Sequence, residues 1–308
     1  MRIRFERPAR DADVHSDRTN GYMPASSGAR WRDAALVAYG RSFEHPAKVR
    51  IVQWLVRRIV AGRVLVRYAA GAIVAIEPAD YTGWAIFRHG HYEPASLRLA
   101  LRIMAGDPGL FVDVGANFGW YTCAVAAIAG CSVVAIEPDC ENCTKLRRNV
   151  ELGNLRNVGV FNGAVGAQAD ILPTIKRARG NSGTVAIRTD DQQPDAPTDW
   201  VATVPLDALL KRIANPPTRP VLIKIDVEGL EPEVLAGLDF EGPFRPRNIL
   251  MEFDLQLSER GWGSFDVMQA FFHARDYEIL DVFGRPLRDP TVLPENNVWV
   301  RETVSAVR

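Results

Sequence analysis

The side chains able to do chemistry collect at the ends of three short apolar runs. Phe111-Val112-Asp113-Val114 leads straight into Gly115-Ala116-Asn117-Phe118-Gly119, a second run closes on Ile136-Glu137-Pro138, and Leu222-Ile223-Lys224-Ile225 closes on Asp226-Val227-Glu228-Gly229. Gly115 permits a sharp turn and a close approach of backbone to a ligand. Glu137 lies 22 residues beyond it, near the spacing at which a strand-end carboxylate reaches both hydroxyls of a ribose. Turn, helix and acid together fit a nucleoside-bearing cofactor; taken singly, Glu137 reads as a solvated strand end and Asp113 as a helix-capping acceptor. Asp226 and Glu228 are the first candidates for a proton acceptor, because ligands of open parallel sheets gather beyond the carboxyl ends of the strands. Lys224, on the same strand face as Asp226, is expected to pair with a carboxylate, its other role being that of a desolvated base.

The loop is a poor dinucleotide site. A G-x-G-x-x-G fingerprint needs its middle glycine to reach a pyrophosphate, and Asn117 holds that place. S-adenosylmethionine has no phosphate, so the loop has only to admit its methionine and ribose portion. A hydroxyl acceptor for such a methyl donor favours a base within hydrogen-bond reach. Asp226 and Glu228 have the oxygen ligands a divalent cation prefers, but such pairs are common without one, and no metal is expected.

The elements that must position these groups are legible in the apolar pattern. From Leu110 onward, short apolar runs alternate with helical stretches, as in a parallel sheet covered on both faces. Strands are expected at 110–114, 132–136, 158–161, 221–225 and 249–253, with helices at 118–129, 141–152, 205–213, 231–236 and 265–274. Two antiparallel strands near 277–283 and 298–300 close the sheet. The expected fold is a doubly wound, Rossmann-like α/β sheet, mostly parallel with an antiparallel edge. Ahead of it, residues 1–30 read as a poorly ordered basic arm and 31–105 as a helix and hairpin extension; the catalytic domain is 106–308, with an inserted hairpin or loop at 181–199. The apolar face of the Trp31–Val60 region is available to a second copy of the chain, as in a homodimer, or to the sheet.

Composition narrows the class. The 308 residues carry 37 basic and 37 acidic side chains, so nothing in the total points to nucleic acid. Residues 1–63 hold 13 Lys or Arg against 6 Asp or Glu, a balance of +7 that leaves −7 for the rest. Cys140 and Cys143 form a C-x-x-C without a second half, so Cys123, Cys131, Cys140 and Cys143 read as reduced thiols of a cytoplasmic enzyme. The most apolar run, Tyr121–Ile136, is short of a bilayer span, and the N-terminus has no signal-peptide core. His89 and His91 precede Tyr92 and Glu93 on a segment suited to fold over a cofactor, and Trp84, Trp120 and Trp262 suit a pocket wall or a core equally.

The sequence resembles the FkbM-type family of S-adenosylmethionine-dependent methyltransferases from about Gly83 to Val300. The likeness rests on His91-Tyr92-Glu93-Pro94, Asp113 to Thr122, Ile136-Glu137-Pro138, Gly163-Ala164-Val165-Gly166, Asn181-Ser182-Gly183, Leu222 to Gly229 and Leu250-Met251-Glu252-Phe253, in that order. It implies that Glu93, Asp113, Gly115, Asn117, Thr122, Glu137, Pro138 and Asp226 line the cofactor site, with Ala164 and Val165 near the adenine. It further implies that Asp226 and Glu228 sit where methyl donor and acceptor meet. Ala167 departs from the acidic residue the family usually carries there. The family's tendency is O-methylation of small metabolites, polyketides or sugars, which sets the expected partner as a small hydroxyl-bearing acceptor, with no nucleic acid and no membrane. The competing readings are N- or carboxyl-methylation, a cofactor-binding scaffold without catalysis, and a nicotinamide oxidoreductase.

Overall fold

A computed structural model describes residues 22–23, 39, 48–59, 63–176, 185–187, 199–213, 219–253 and 261–303. The expected basic arm, apart from 22–23, and Asn181-Ser182-Gly183 lie outside the described residues. In chain order the first elements are β1 (Tyr22–Met23), α1 (Lys48–Ile59), β2 (Val64–Arg67), β3 (Ile73–Ile76), α2 (Tyr81–His89) and α3 (Pro94–Gly106). The alternating unit follows with β4 (Leu110–Val114), α4 (Trp120–Ala126), β5 (Ser132–Glu137), α5 (Cys140–Leu152) and β6 (Val158–Asn162). Next come β7 (Ala164–Val165), β8 (Asp170–Lys176), β9 (Val185–Ile187), β10 (Trp200–Val204) and α6 (Leu206–Ile213). The chain closes with β11 (Pro220–Ile225), α7 (Glu231–Ala236), β12 (Asn248–Glu252), α8 (Phe265–His273), β13 (Tyr277–Asp281) and β14 (Asn297–Glu302).

The main sheet has the order β13-β14-β12-β11-β4-β5-β6. Strands β6, β5, β4, β11 and β12 are parallel, and β14 runs antiparallel to both its neighbours. This is the expected mostly parallel α/β sheet with an antiparallel edge. Every residue of β4 and β11 is buried, which is why these strands read as apolar runs interrupted only by Asp113 and Lys224. Alternation then sorts their side chains between layers. Phe111, Leu222 and Leu250 pack with α4 and the N-terminal elements, while Val112, Ile223 and Ile249 pack with α6, α7 and α8.

Four strands from the 164–204 region make a second small sheet, β7-β10-β8-β9. The sequence marks this region only as an inserted hairpin or loop beginning at 181; β8 starts earlier and carries Pro173, a residue that weakens any strand reading. Helices α2 and α3 were likewise hidden within the expected extension. Gly83 interrupts the helical pattern of α2, yet a Cβ there would lie 2.2 Å from the Glu77 carbonyl oxygen, so the helix needs glycine to pack. Pro94 opens α3, where its missing N–H costs nothing. The next two amides, Ala95 and Ser96, donate to the Glu295 carboxylate at 2.9 and 2.8 Å.

The hairpin β2–β3 is stitched to the catalytic unit. The Tyr68 ring stacks on Trp120 at 3.9 Å and 7°. Asn149 on α5, fully buried, accepts from the Ala75 amide at 2.8 Å and donates to the carbonyls of Phe118 (2.8 Å) and Ala75 (3.3 Å). Replacing it strands buried backbone groups, whose desolvation is not recovered. Asn149→Ala is therefore expected to lose about 2–4 kcal/mol of stability, measured by urea unfolding; a loss under 0.5 kcal/mol by the same standard would show that this stitch does not hold hairpin to core.

Candidate functional site

The switch point of the sheet lies between β4 and β11, and the loop after β4 crosses it. Gly115 and Ala116 donate to the Ile136 carbonyl, each at 3.0 Å, and the Asp226 amide donates to Val114 at 3.0 Å. Gly115 has φ +80, and a Cβ on it would fall 1.9 Å from the Asp226 carbonyl oxygen. Asn117 also takes a left-handed conformation, φ +50, which Asn tolerates better than most residues. Its amide donates to Glu137 Oε2 at 2.7 Å, and Asp139 donates to Oε1 at 2.9 Å. Burial pushes the Glu137 carboxyl up to about 7 in spite of these two bonds.

Around this loop opens a cleft of about 220 Å³. Of the residues expected at the cofactor, Glu93, Asp113, Gly115, Asn117, Glu137, Pro138, Ala164, Val165 and Asp226 all line it. Thr122 does not: it is fully buried, and its hydroxyl donates to Asp113 Oδ2 at 2.5 Å. Thr122 thus stands behind the wall and orients Asp113. The other carboxyl oxygen, Asp113 Oδ1, is buried with no hydrogen-bond partner, and burial raises this carboxyl above its ordinary range.

The opposite end of the cleft is acidic. Lys224 Nζ sits 2.7 Å from Asp226 Oδ2 and 4.7 Å from the Tyr121 ring centroid. Burial alone would lower the Lys224 ammonium, but Asp226, Glu93 and Asp113 outweigh it and the net shift is upward. In this geometry Lys224 is paired with the Asp226 carboxylate. Glu228 takes φ +57; the turn carrying it is tied down by Glu231 Oε1, which accepts from Gly229 (3.2 Å) and Val227 (3.4 Å). Glu93, at φ +44, accepts from the Tyr121 hydroxyl at 2.7 Å. Burial lifts it to about 7, against the pull of Lys224.

Tyr81, Tyr92 and Glu252 also line the cleft and were not among the sequence candidates. Glu252 is the informative one. Ile225 pairs with Met251 across β11 and β12, so the residues that follow, Asp226 and Glu252, emerge side by side and share a hydrogen bond; burial, then Asp226, Glu228 and Glu231, push Glu252 to about 10. A signal existed: Asp113, Glu137, Asp226 and Glu252 all fall at the carboxyl ends of strands that read as parallel. His89 and His91, Trp84 and Trp262 lie off the cleft, whereas Trp120 lines it. All four cysteines are free thiols, only Cys140 being exposed. Among the described residues no three His, Cys, Asp or Glu side chains are grouped to hold a metal ion, and no helix is long and apolar enough to cross a membrane.

A doubly wound sheet with a glycine turn and acids at its switch point is an arrangement that receives a nucleoside-bearing cofactor. The chain belongs to the FkbM methyltransferase family: the Methyltransferase FkbM domain matches residues 113–279. Its cofactor is S-adenosyl-L-methionine. Among solved structures it is similar to a SAM-dependent methyltransferase from Agrobacterium tumefaciens, at 11% identity over 78% of this chain and 70% of that one, TM-score 0.43. It is also similar to the O-methyltransferase TomG of Streptomyces achromogenes, described as involved in tomaymycin synthesis and solved with SAM, at 10% identity over 74% of this chain and 88% of that one, TM-score 0.42. No curated protein matches the sequence. The residues present fit the cofactor: the Gly115 turn leaves no room for a Cβ, and Asp113, Glu137 and Asp226 line the same cleft.

Two outcomes follow from this geometry. Gly115→Ala is expected to weaken S-adenosylhomocysteine binding by more than about tenfold in calorimetry, since both the left-handed φ and the 1.9 Å approach forbid a Cβ. Unchanged affinity would mean that the loop does not shape the cleft. Glu252 holds its proton more tightly when folded than when unfolded, so that contribution is complete below its ordinary 4.5 and is lost as pH climbs through about 10. Glu252→Gln, which keeps a donor for Asp226, should therefore match the parent near pH 4 and exceed it in stability near pH 9, read from thermal unfolding at both pH values; a constant difference across pH would refute a raised Glu252.

Proposed function

We propose that the chain methylates a hydroxyl group on a small metabolite, polyketide or sugar. Bound S-adenosyl-L-methionine supplies an electrophilic methyl group on a sulfonium sulfur. The chain's own part is to align the acceptor oxygen, exclude water and take up a proton. In this reading Glu137 accepts from the ribose hydroxyls, Pro138, Ala164 and Val165 flank the adenine, and Asp113, Gly115 and Asn117 shape the methionine end. Asp226 or Glu228 accepts the acceptor's hydroxyl proton, with Lys224 holding Asp226 in place. In this reading 106–308 is the catalytic unit, and Tyr81, Tyr92 and Glu93 bring the preceding segment to the cleft.

The observation that carries an alcohol acceptor is that Asp226 and Glu228 line the same cleft as the cofactor loop, within reach of a hydroxyl placed there. Glu93, raised to about 7 by burial, shares that cleft. An acceptor that is already a carboxylate needs no such base and would meet repulsion from the Asp226–Glu252 pair. The test is methyl transfer from radiolabelled S-adenosyl-L-methionine to a panel of sugars, polyketides and phenols. Expected are alkali-stable methyl ethers, a rate that rises with pH from 6 to 8 and, for Asp226→Asn, a fall of at least about a hundredfold in kcat. Alkali-labile esters or N-methyl products would overturn the O-methyl reading, and undiminished function of Asp226→Ala and Glu228→Ala in the host would favour a scaffold.

A further inference from the structure

Four carboxyl groups and one ammonium meet where β11 and β12 end: Glu93, Asp226, Glu228, Glu252 and Lys224. The ammonium is already engaged by Asp226 and by the face of Tyr121. No other Lys, Arg or His lines the cleft among the described residues. Asp113, only 1% exposed, adds to the same wall an oxygen without a partner. This end is therefore short of positive charge, and low-dielectric walls make that shortage felt by any ligand placed there.

Its position relative to Glu137 matters. Glu137 ends β5, and β4 alone separates β5 from β11. At the usual spacing of neighbouring strands, the ribose-facing acid and the carboxylate cluster stand roughly 10 Å apart. A nucleoside seated at Glu137 and extended along the strand ends brings its sulfur toward Asp226.

We infer that the carboxylate cluster is a cation site that separates the charged donor from its neutral product, binding S-adenosyl-L-methionine more tightly than S-adenosylhomocysteine. The inference rests on the methyltransferase reading of the cleft. Transfer forms the oxygen–methyl bond and breaks the sulfur–methyl bond; the electron pair returns to sulfur, which becomes a neutral thioether, and the hydroxyl proton passes to a carboxylate. Positive charge thus leaves the sulfur for the cluster and departs as a proton, so the product loses the attraction that held the donor. The same charge distribution favours a neutral or cationic acceptor over an anionic one.

Proton traffic gives an independent readout. Glu93 faces Lys224, Asp226, Tyr121 and Glu295, and Glu252 faces Asp226, Glu228, Glu231 and Tyr92. Glu252 lies near 10 and holds its proton at neutral pH, whereas Glu93, near 7, is divided between its protonated and ionised forms. A cation arriving beside them favours their ionised forms and drives protons off.

The experiment is calorimetric titration of the full chain at pH 7, in two buffers of different ionisation enthalpy. The probes are S-adenosyl-L-methionine, S-adenosylhomocysteine and sinefungin, which carries an ammonium group in place of the methylsulfonium. Expected is binding of both cationic probes at least about tenfold tighter than the thioether, with proton release for the cations alone. Glu228→Gln and Glu252→Gln should each narrow that ratio, although the comparison within the parent protein already decides the matter. Equal affinities for all three, with equal proton release, would overturn the inference and leave the cofactor assignment standing. Failure of all three to bind would overturn the reading of the cleft itself.

Discussion

The structure depends on one close approach, that of the Gly115 backbone to the carbonyl of Asp226 across the switch point. Two strands that diverge in sequence by a hundred residues must end at the same level for it to occur. The ladder between β4 and β11, with Lys224 opposite Asp113 and Ile225 opposite Val114, sets that level. From it follows the floor of the cleft: the turn after β4 bends toward Glu137, and the turn after β11 bends toward Glu252. A side chain at Gly115 would wedge the two turns apart and separate the nucleoside end from the acidic end.

The charge arrangement is a consequence of the same topology. Each parallel strand delivers its last residue to one edge of the sheet, and on four strands that residue or its neighbour is an acid. Isolated from water, such acids repel and hold protons. Lys224 limits the repulsion by sitting within the cluster, and its long apolar stem fits the buried wall below. Its ammonium position over Tyr121 also connects the cluster to Glu93, which reaches the cleft from the N-terminal elements through the Tyr121 hydroxyl.

How much of this the sequence disclosed varied with how local the cause was. Strands β4, β5 and β11 were legible because burial on both faces writes an apolar run, and the ends of those runs displayed Asp113, Glu137 and Asp226. The small sheet was not legible, since β7 and β9 are only two and three residues long and β10 alternates buried with exposed residues beside the exposed Trp200. Glu252 stands in plain view at the end of an expected strand, but its importance comes from β12 lying next to β11, a non-local fact. Thr122 shows the reverse: its position one turn into α4 suits a cofactor contact, while the actual rotamer turns the hydroxyl inward to Asp113. Glu93 joined the site through tertiary packing that no periodicity around it could announce.

Glu295 gives the molecule a temporal order. It lies 200 residues beyond Ala95, in the turn that leads into the last strand, and its carboxylate is what receives the first free amides of α3. During synthesis the wall bearing Tyr92 and Glu93 emerges early but stays uncapped until the last strand has been made and paired between β12 and β13. The nascent chain can complete its parallel strands and still lack a finished rim, because the carboxylate that caps this wall is supplied about 200 residues later in the sequence.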